Sequence, residues 1–215
     1  MSFRIAGLFI AIAVLTGCSS HNHDNFWFLE KDHNYNRVKE IFREYVDYFP
    51  ERESANCINE TWSLDPSNEY NLKIAFSFSN DIFNKIKDTL KAESIAEYLP
   101  NEDCLLILNR FTTNSNYGYI NENEIDLNLI DLQCYENKYP IPNFSNFSKY
   151  QTEKTDCKLK TDFTIYVLES RTGIFLDDKN LPESKFMPEK WEHGYSKGVA
   201  ISEEREIIIY WIIIW

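Results

Sequence analysis

The sequence feature that most restricts the fold is an uncharged run of nine residues, IIIYWIIIW, at positions 207–215. A helix needs about 20 apolar residues to cross a bilayer, so this run is too short for that role. Its β-branched and aromatic residues favour a strand, and a continuous apolar strand is typical of one buried on both faces. We therefore predict a central strand covered on both sides, with a surface buried against a partner as the alternative.

A two-residue period predicts further strands. Residues 70–79 alternate cleanly, and we expect a half-buried strand with Lys73 on its solvent face. The charged residues 203–206 separate two β-rich runs and predict a hairpin. Residues 157–170 alternate as well, and these side chains are expected to share one face: Cys157, Leu159, Phe163, Ile165 and Val167.

Apolar residues at helical spacing predict two helices. The first spans 36–49 and is followed by Pro50, a residue that marks helix ends. The second lies in 80–99, and its apolar face comprises Ile82, Phe83, Ile86 and Leu90. Residues 104–111 suggest a buried strand, and 124–134 an extended segment. The predicted fold is α+β, a mixed or antiparallel sheet of about five or six strands with two main helices and a C-terminal β-hairpin.

Composition and charge narrow the classes of partner. Aromatic residues make up 15% of the chain, which favours a packed globular core over a disordered chain. The formal net charge of −12 argues against binding of nucleic acid and against attraction to anionic lipids. The same charge is compatible with a basic protein partner.

The first residues match an export signal. Arg4 precedes an apolar segment, 5–15, that has the layout of a secretory signal. The motif that follows, Leu15-Thr16-Gly17-Cys18, resembles the lipobox of bacterial lipoproteins, a small-residue cleavage site followed by an obligatory cysteine. The resemblance covers only about the first 18 residues. The alternative is an ordinary secreted protein with a chance cysteine after its cleavage site.

The lipobox resemblance implies a cellular location and a lipid anchor. It implies removal of 1–17 and attachment to Cys18 of a thioether-linked diacylglycerol and an amide-linked fatty acid, which would hold the chain on a lipid bilayer. Ser19 is not the aspartate that favours inner-membrane retention in related Gram-negative lipoproteins, so the expected location is the outer membrane, facing the periplasm. The segment 18–33, which is polar from Ser19 to Asn25, is expected to be a flexible tether, and 34–215 a single globular domain.

Four further cysteines remain: Cys57, Cys104, Cys134 and Cys157. An even number of cysteines in an exported chain predicts two disulfides. Three pairings are possible, and we expect the neighbour pairing, Cys57–Cys104 with Cys134–Cys157. No two cysteines have the C-x-x-C spacing of a zinc ribbon or of a thioredoxin-type redox site.

One long segment combines aromatic residues with small polar ones. Residues 135–156 are rich in Pro, Asn and Ser, and loops of this length are often functional or disordered. Tyr139, Phe144, Phe147 and Tyr150 make it a candidate binding loop, because rigid aromatic rings among adaptable polar groups are typical of binding loops. The alternative, which we favour, is that these rings fold back and cover the sheet.

Catalytic signatures do not occur in the sequence. The chain has no phosphate-binding glycine loop, G-x-S-x-G elbow, H-E-x-x-H motif or EF-hand loop, so no cofactor and no metal site is predicted. His193 lies near Glu192, Ser196 and Lys197, but a catalytic triad is recognised by geometry in space and not by proximity in sequence. We therefore interpret His193 as an ordinary loop residue.

Three functional hypotheses remain. The first is an anchored envelope lipoprotein with a binding or structural role and no enzymatic activity. The second is an inhibitor or immunity protein that neutralises a basic enzyme or toxin in the periplasm, since complementary charge speeds association with a cationic target. The third is an envelope hydrolase that uses His193 or a pair of carboxylates.

Overall fold

The computed structural model describes residues 39–50, 56–65, 69–108, 110, 128, 133–145, 150–152, 154–175, 184 and 187–215. Within 56–65 it describes the backbone and the side chains of Ile58 and Thr61. The predicted signal segment, Cys18 and the tether lie outside the described residues. So does most of 124–134, the segment predicted to be extended.

The described residues form an α+β fold around one six-stranded sheet. In chain order the strands are β1 (Asn56–Asp65), β2 (Glu69–Ser77), β3 (Ala96–Tyr98), β4 (Thr164–Thr172), β5 (Gly194–Ser202) and β6 (Ile207–Ile214). Their spatial order is β1-β2-β6-β5-β4-β3, and every neighbouring pair is antiparallel. The predicted fold class is confirmed, including the hairpin of β5 and β6.

Strand β6 lies inside the sheet, between β2 and β5, and pairs with both. All eight of its residues are buried. Alternate side chains enter two different apolar clusters, Ile208, Tyr210, Ile212 and Ile214 on one face and Ile207, Ile209, Trp211 and Ile213 on the other. The prediction of a central strand covered on both sides is confirmed.

Helices cover one face of the sheet. The chain is helical at 39–42 and continues as a 3₁₀ helix, Arg43–Val46. The other helix, α1 (Asn80–Glu93), follows β2. Apolar side chains from both helical segments pack with the sheet in one cluster, which we call the helical layer: Phe42, Val46, Phe49, Phe83 and Leu90 against Leu72, Ile74, Phe76, Val199, Ile201 and the even-numbered residues of β6.

Helix α1 is shorter than the sequence predicts. It ends at Glu93, where the Ser94 N–H and hydroxyl both donate to the Lys91 carbonyl oxygen, at 3.3 and 2.8 Å. The prediction of helix to residue 99 is wrong, because the chain becomes extended and adds β3 to the edge of the sheet. Ile82, predicted to lie on the buried face, is exposed.

Irregular chain covers the opposite face. In this loop layer, Leu105–Leu108, Ile141 and other residues between β3 and β4 pack on the sheet together with Met187, Trp191 and Trp215. The predicted strand at 104–111 is wrong: its described residues make one isolated parallel bridge, Ile107 to Ile141. The Ile141 N–H donates to the Leu106 carbonyl, and the Leu108 N–H donates to the Ile141 carbonyl, both at 2.9 Å.

The predicted shared face of 157–170 is confirmed, because all five apolar residues named for it belong to the loop-layer cluster. The half-buried assignment of β2 is wrong. Lys73 is only 2% exposed, and its ammonium lies 3.4 Å from the amide oxygen of buried Asn71. The alternation of β2 is real, but Asn71 and Lys73 on its polar face are buried as well.

The charged turn of the C-terminal hairpin is fixed by ion pairs to two other segments. Glu203 accepts from Lys87 at 3.1 Å and from Lys91 at 2.6 Å, both on α1. Arg205 pairs with Asp162, before β4, at 2.5 Å. The turn therefore ties the central hairpin to the helical layer and to the chain that enters β4.

Gly198 offers a test of sheet packing. A Cβ at this position would lie 2.6 Å from the Trp211 indole and closer still to the Tyr166 carbonyl oxygen. We expect Gly198→Ala to lower the free energy of unfolding by about 3 kcal/mol, because neither the backbone nor the buried ring can move away. Urea unfolding measures this. Thr164→Ala, at a half-buried position of β4, is the control, and equal losses in the two variants would contradict the packing argument.

Candidate functional site

The structure pairs Cys104 with Cys134 in a disulfide, with 5.9 Å between their Cα atoms. The predicted neighbour pairing is therefore wrong on both counts, since each predicted bridge used one of these two residues. The bridge closes the loop that contains 109–132 and joins two segments of the loop layer. The backbone of Cys57 lies in β1, and its side chain is outside the described residues.

Cys157 is a free thiol in the core of the loop layer. Its Sγ lies 3.7 Å from the Pro100 carbonyl oxygen, and burial raises the pKa of the thiol to about 11. Because the thiolate is the reactive form, this cysteine is inert in the folded protein. The prediction of a disulfide at Cys157 is wrong. Its side chain is packed into the core, and its predicted partner, Cys134, is bonded to Cys104.

The aromatic residues of the candidate binding loop lie mainly in the core. Phe144 and Tyr150 are buried, and Tyr139 is half-buried. Tyr150 packs edge-on against Phe163, with 5.6 Å between ring centroids. Phe147 lies outside the described residues. Phe144 and Tyr150 thus help to cover the sheet, as in the alternative that the sequence favoured, and their rings offer no surface to a partner.

The residues around His193 do not form a catalytic triad. Ser196 is buried, and its hydroxyl donates to the Pro140 carbonyl oxygen at 2.6 Å, so its proton is not shared with a histidine. The Lys197 ammonium is 2.9 Å from the Glu169 carboxylate, and Glu192 is exposed. His193 accepts a backbone hydrogen bond from the Gly173 N–H at 3.0 Å. These contacts assign the segment to strand packing.

A network of polar side chains centres on Glu169. Its carboxylate accepts from Arg171 at 2.6 Å and from Lys197 at 2.9 Å, and it is hydrogen-bonded to the Tyr195 hydroxyl. Burial by itself would raise the pKa of Glu169, but the Tyr195 hydrogen bond and the two cations outweigh burial and lower it. Glu169 is therefore a carboxylate at neutral pH.

Aromatic rings surround this Glu169 network. The rings of Tyr45, Phe175 and Tyr195 contact one another edge to face, with centroid distances of 4.5 to 6.4 Å. Burial and the hydrogen bond to Glu169 raise the pKa of Tyr195, so its phenol stays protonated. Neither group can exchange a proton near neutral pH, which suits a structural role and not general acid–base catalysis. The network fixes the helical segment carrying Tyr45 to β4 and β5.

No protein-family model, curated protein sequence or solved structure matches this chain. Its function therefore has to be argued from its own residues. The described ranges contain no group of three or more His, Cys, Asp or Glu side chains placed to hold a metal ion. Within those ranges, none of the helices has both the length and the apolarity needed to span a membrane.

One exposed feature is not predicted by the sequence patterns, the sheet edge at β3. Ile95 and Leu99 are among the few large apolar side chains that the described residues expose, and exposed Glu97 lies between them. The alternation of exposed and covered residues over 95–99 is its signal in the sequence, but the helical period of α1 can be continued through the same residues. This edge is the candidate binding surface of the described domain.

The disulfide assignment can be tested by peptide mapping and by unfolding. A non-reducing digest should give one fragment joining Cys104 to Cys134. Replacing both residues with Ala should lower the free energy of unfolding by about 3–4 kcal/mol, because the bridge closes a long loop of the unfolded chain. Cys157→Ala is the control that should leave the joined fragment intact. A fragment joining Cys157 to Cys134 would contradict the assignment.

The ion pairs predict a loss of stability in acid. The pKa values of Asp162, Glu169 and Glu203 are all lowered in the folded protein. Carboxylates of this kind stabilise the fold fully above their unfolded pKa, about 4, and the stability is lost as pH falls through the folded values. The urea-derived free energy of unfolding should therefore be nearly flat between about pH 7 and 5 and fall below about pH 4.

One variant measures how much of the loss of stability in acid comes from Glu169 and how much from the other carboxylates. Glu169→Gln should be less stable at neutral pH and show a shallower loss in acid, since one of the linked carboxylates is gone. Glu136→Gln, at an exposed position, is the matched control. The same acid slope in wild type and Glu169→Gln would show that Glu169 contributes nothing to the pH dependence.

Proposed function

We propose that the protein is a lipid-anchored lipoprotein of the bacterial envelope whose globular domain has a binding role. The observation that carries the proposal is the motif Leu15-Thr16-Gly17-Cys18, placed after an apolar segment and before the polar stretch 19–25. Burial of acyl chains stabilises membrane attachment by about 0.8 kcal/mol per methylene, and one chain alone binds marginally. Two or three chains on Cys18 would hold the domain firmly.

The Cys104–Cys134 disulfide supports export of the chain. Disulfides persist in oxidising compartments such as the periplasm and are rare in the cytosol. The domain that carries the bridge is thus suited to the compartment that the lipobox resemblance implies.

The described contacts favour binding over catalysis. Ser196, Lys197 and Glu169, the groups nearest to a hydrolytic arrangement, are engaged in hydrogen bonds and ion pairs within the fold. The exposed features include an acidic surface and the apolar side chains Ile95 and Leu99 beside β3. A protein with those features is equipped to contact another macromolecule.

A second candidate function is an inhibitor or immunity protein for a basic enzyme or toxin. The observation that favours it is Glu97, exposed between two exposed apolar side chains on a chain of net charge −12. Complementary charge accelerates encounter with a cationic protein, and the apolar flanks supply contact area.

The anchor is tested on the full chain expressed in a Gram-negative host. Wild-type protein should fractionate with outer membranes, and its intact mass should show acyl groups in place of 1–17. Cys18→Ser should lose the acyl mass and the membrane association. Ser19→Asp is the matched variant: it keeps the acylation site and should move the protein to the inner membrane. An unacylated wild-type protein in the soluble periplasmic fraction would refute the proposal.

A further inference from the structure

One edge of the sheet ends in a very short strand with exposed side chains. Among the described strands, β3 pairs with β4 alone. Ile95 and Leu99 flank β3 and Glu97 is its central residue, so these three residues alternate along the chain with Ala96 and Tyr98. Ile95 is 48% exposed and Leu99 is 46% exposed, and Glu97 between them is also exposed. Tyr98 is buried in the loop layer.

The outer side of an edge strand carries backbone N–H and C=O groups that can pair with another chain. Proteins usually protect such edges, and the first backbone donor after β3 has a side-chain partner. The Glu102 carboxylate accepts a hydrogen bond from the Leu99 N–H at 2.7 Å and lies 3.4 Å from the Lys138 ammonium. Nothing comparable covers Ile95 or Glu97 among the described residues. The exposed side chains at and beside the edge strand are therefore two apolar ones and one carboxylate.

The charge around this edge is acidic. Glu93, Glu97 and Asp103 are exposed, and no described cation forms an ion pair with them. Two lysines of the neighbouring segments form ion pairs with other carboxylates: Lys91 binds Glu203 and Lys138 binds Glu102. A segment that pairs with this edge therefore approaches an unneutralised negative surface.

The same charge argues against a second copy of the chain as the occupant. An antiparallel self-pairing centred on Glu97 would place the two Glu97 carboxylates directly opposite each other, and like charges in that position are destabilising. A lysine or arginine opposite Glu97 would instead form a favourable cross-strand pair. Glu97 thus disfavours pairing of this edge with a second copy of the chain and favours pairing with a cationic strand.

We propose that the β3 edge binds an extended basic segment of a partner protein by strand addition. The partner's backbone pairs with the open side of β3, a lysine or arginine faces Glu97, and apolar side chains contact Ile95 and Leu99. This mode gives affinity through main-chain hydrogen bonds and specificity through alternate side chains. The inference rests on the binding role under the proposed function and specifies the partner's chemistry.

The test uses the full-length lipoprotein in neutral detergent and three short synthetic peptides. The first alternates lysine and valine, the second alternates glutamate and valine, and the third is the first with proline at a central valine, which removes a backbone donor. Isothermal titration should show binding of the lysine–valine peptide, weakened by salt. The other two peptides should bind at least about tenfold more weakly, a difference of about 1.4 kcal/mol.

Matched variants locate the site. Glu97→Lys should weaken binding of the lysine–valine peptide by about tenfold or more, and Ile95→Ser should weaken it by about fivefold. Asp81→Lys makes the same change of charge at an exposed position of α1, and Ile82→Ser removes an apolar side chain of nearly equal exposure, 46%. Both controls should bind like wild type. Circular dichroism confirms that each variant is folded.

Four outcomes would overturn the inference. These are equal binding of the proline peptide, equal loss in Asp81→Lys and Glu97→Lys, no binding of the lysine–valine peptide, and self-association of wild type that Glu97→Lys abolishes, which would make a second copy the occupant. Acyl groups on Cys18 together with any of these results would leave the anchor standing and refute only the edge site. An unacylated Cys18 together with intact binding of the peptide at the edge would refute the anchor and leave the edge site standing.

Discussion

Burial of β6 is the constraint on which the rest of the structure depends. Each of its side chains enters either the helical layer or the loop layer, so both layers have to be present for the strand to be covered. Full burial of a large apolar side chain stabilises a fold by about 1.5–3 kcal/mol, and β6 contributes eight such residues in a row. The helices and the disulfide-linked loops bury this one strand, and the ion pairs of the hairpin turn hold it against the helical layer.

The parts of the fold that sequence periodicity predicts are those in which one local pattern decides the structure. The uncharged run of β6 and the alternation of 157–167 belong to this class, and both predictions are confirmed. The errors occur where a distant segment decides. Lys73 is buried because chain from elsewhere covers its face of β2, and residues 105–108 are buried without a regular strand because their backbone partner is a single residue, Ile141. Nothing within those segments encodes the partner.

The features of the candidate site also depend on contacts between distant segments, which no local sequence pattern predicts. The sequence suggested that loop aromatic residues were either a binding surface or cover for the sheet, and only the packing of Phe144 and Tyr150 decides for cover. Disulfide pairing is also a property of three-dimensional distance, so the spacing of four cysteines left it open. The edge at β3 does not follow from the sequence alone, because a helical and an extended period both fit 94–99 and pairing with β4 selects the extended one. The anchor remains a proposal from sequence pattern.

The free thiol of Cys157 gives the order of folding events a chemical consequence. In an oxidising compartment three cysteines of the loop layer, Cys104, Cys134 and Cys157, are exposed together while the chain is unfolded. Any two of them can be joined at that stage, and a bridge to Cys157 would pull a core residue out of place. Once Cys157 is buried, its raised pKa removes it from exchange. In such a compartment, correct pairing requires that this layer packs onto the sheet before Cys157 is oxidised, or that thiol–disulfide exchange then replaces the wrong bridge.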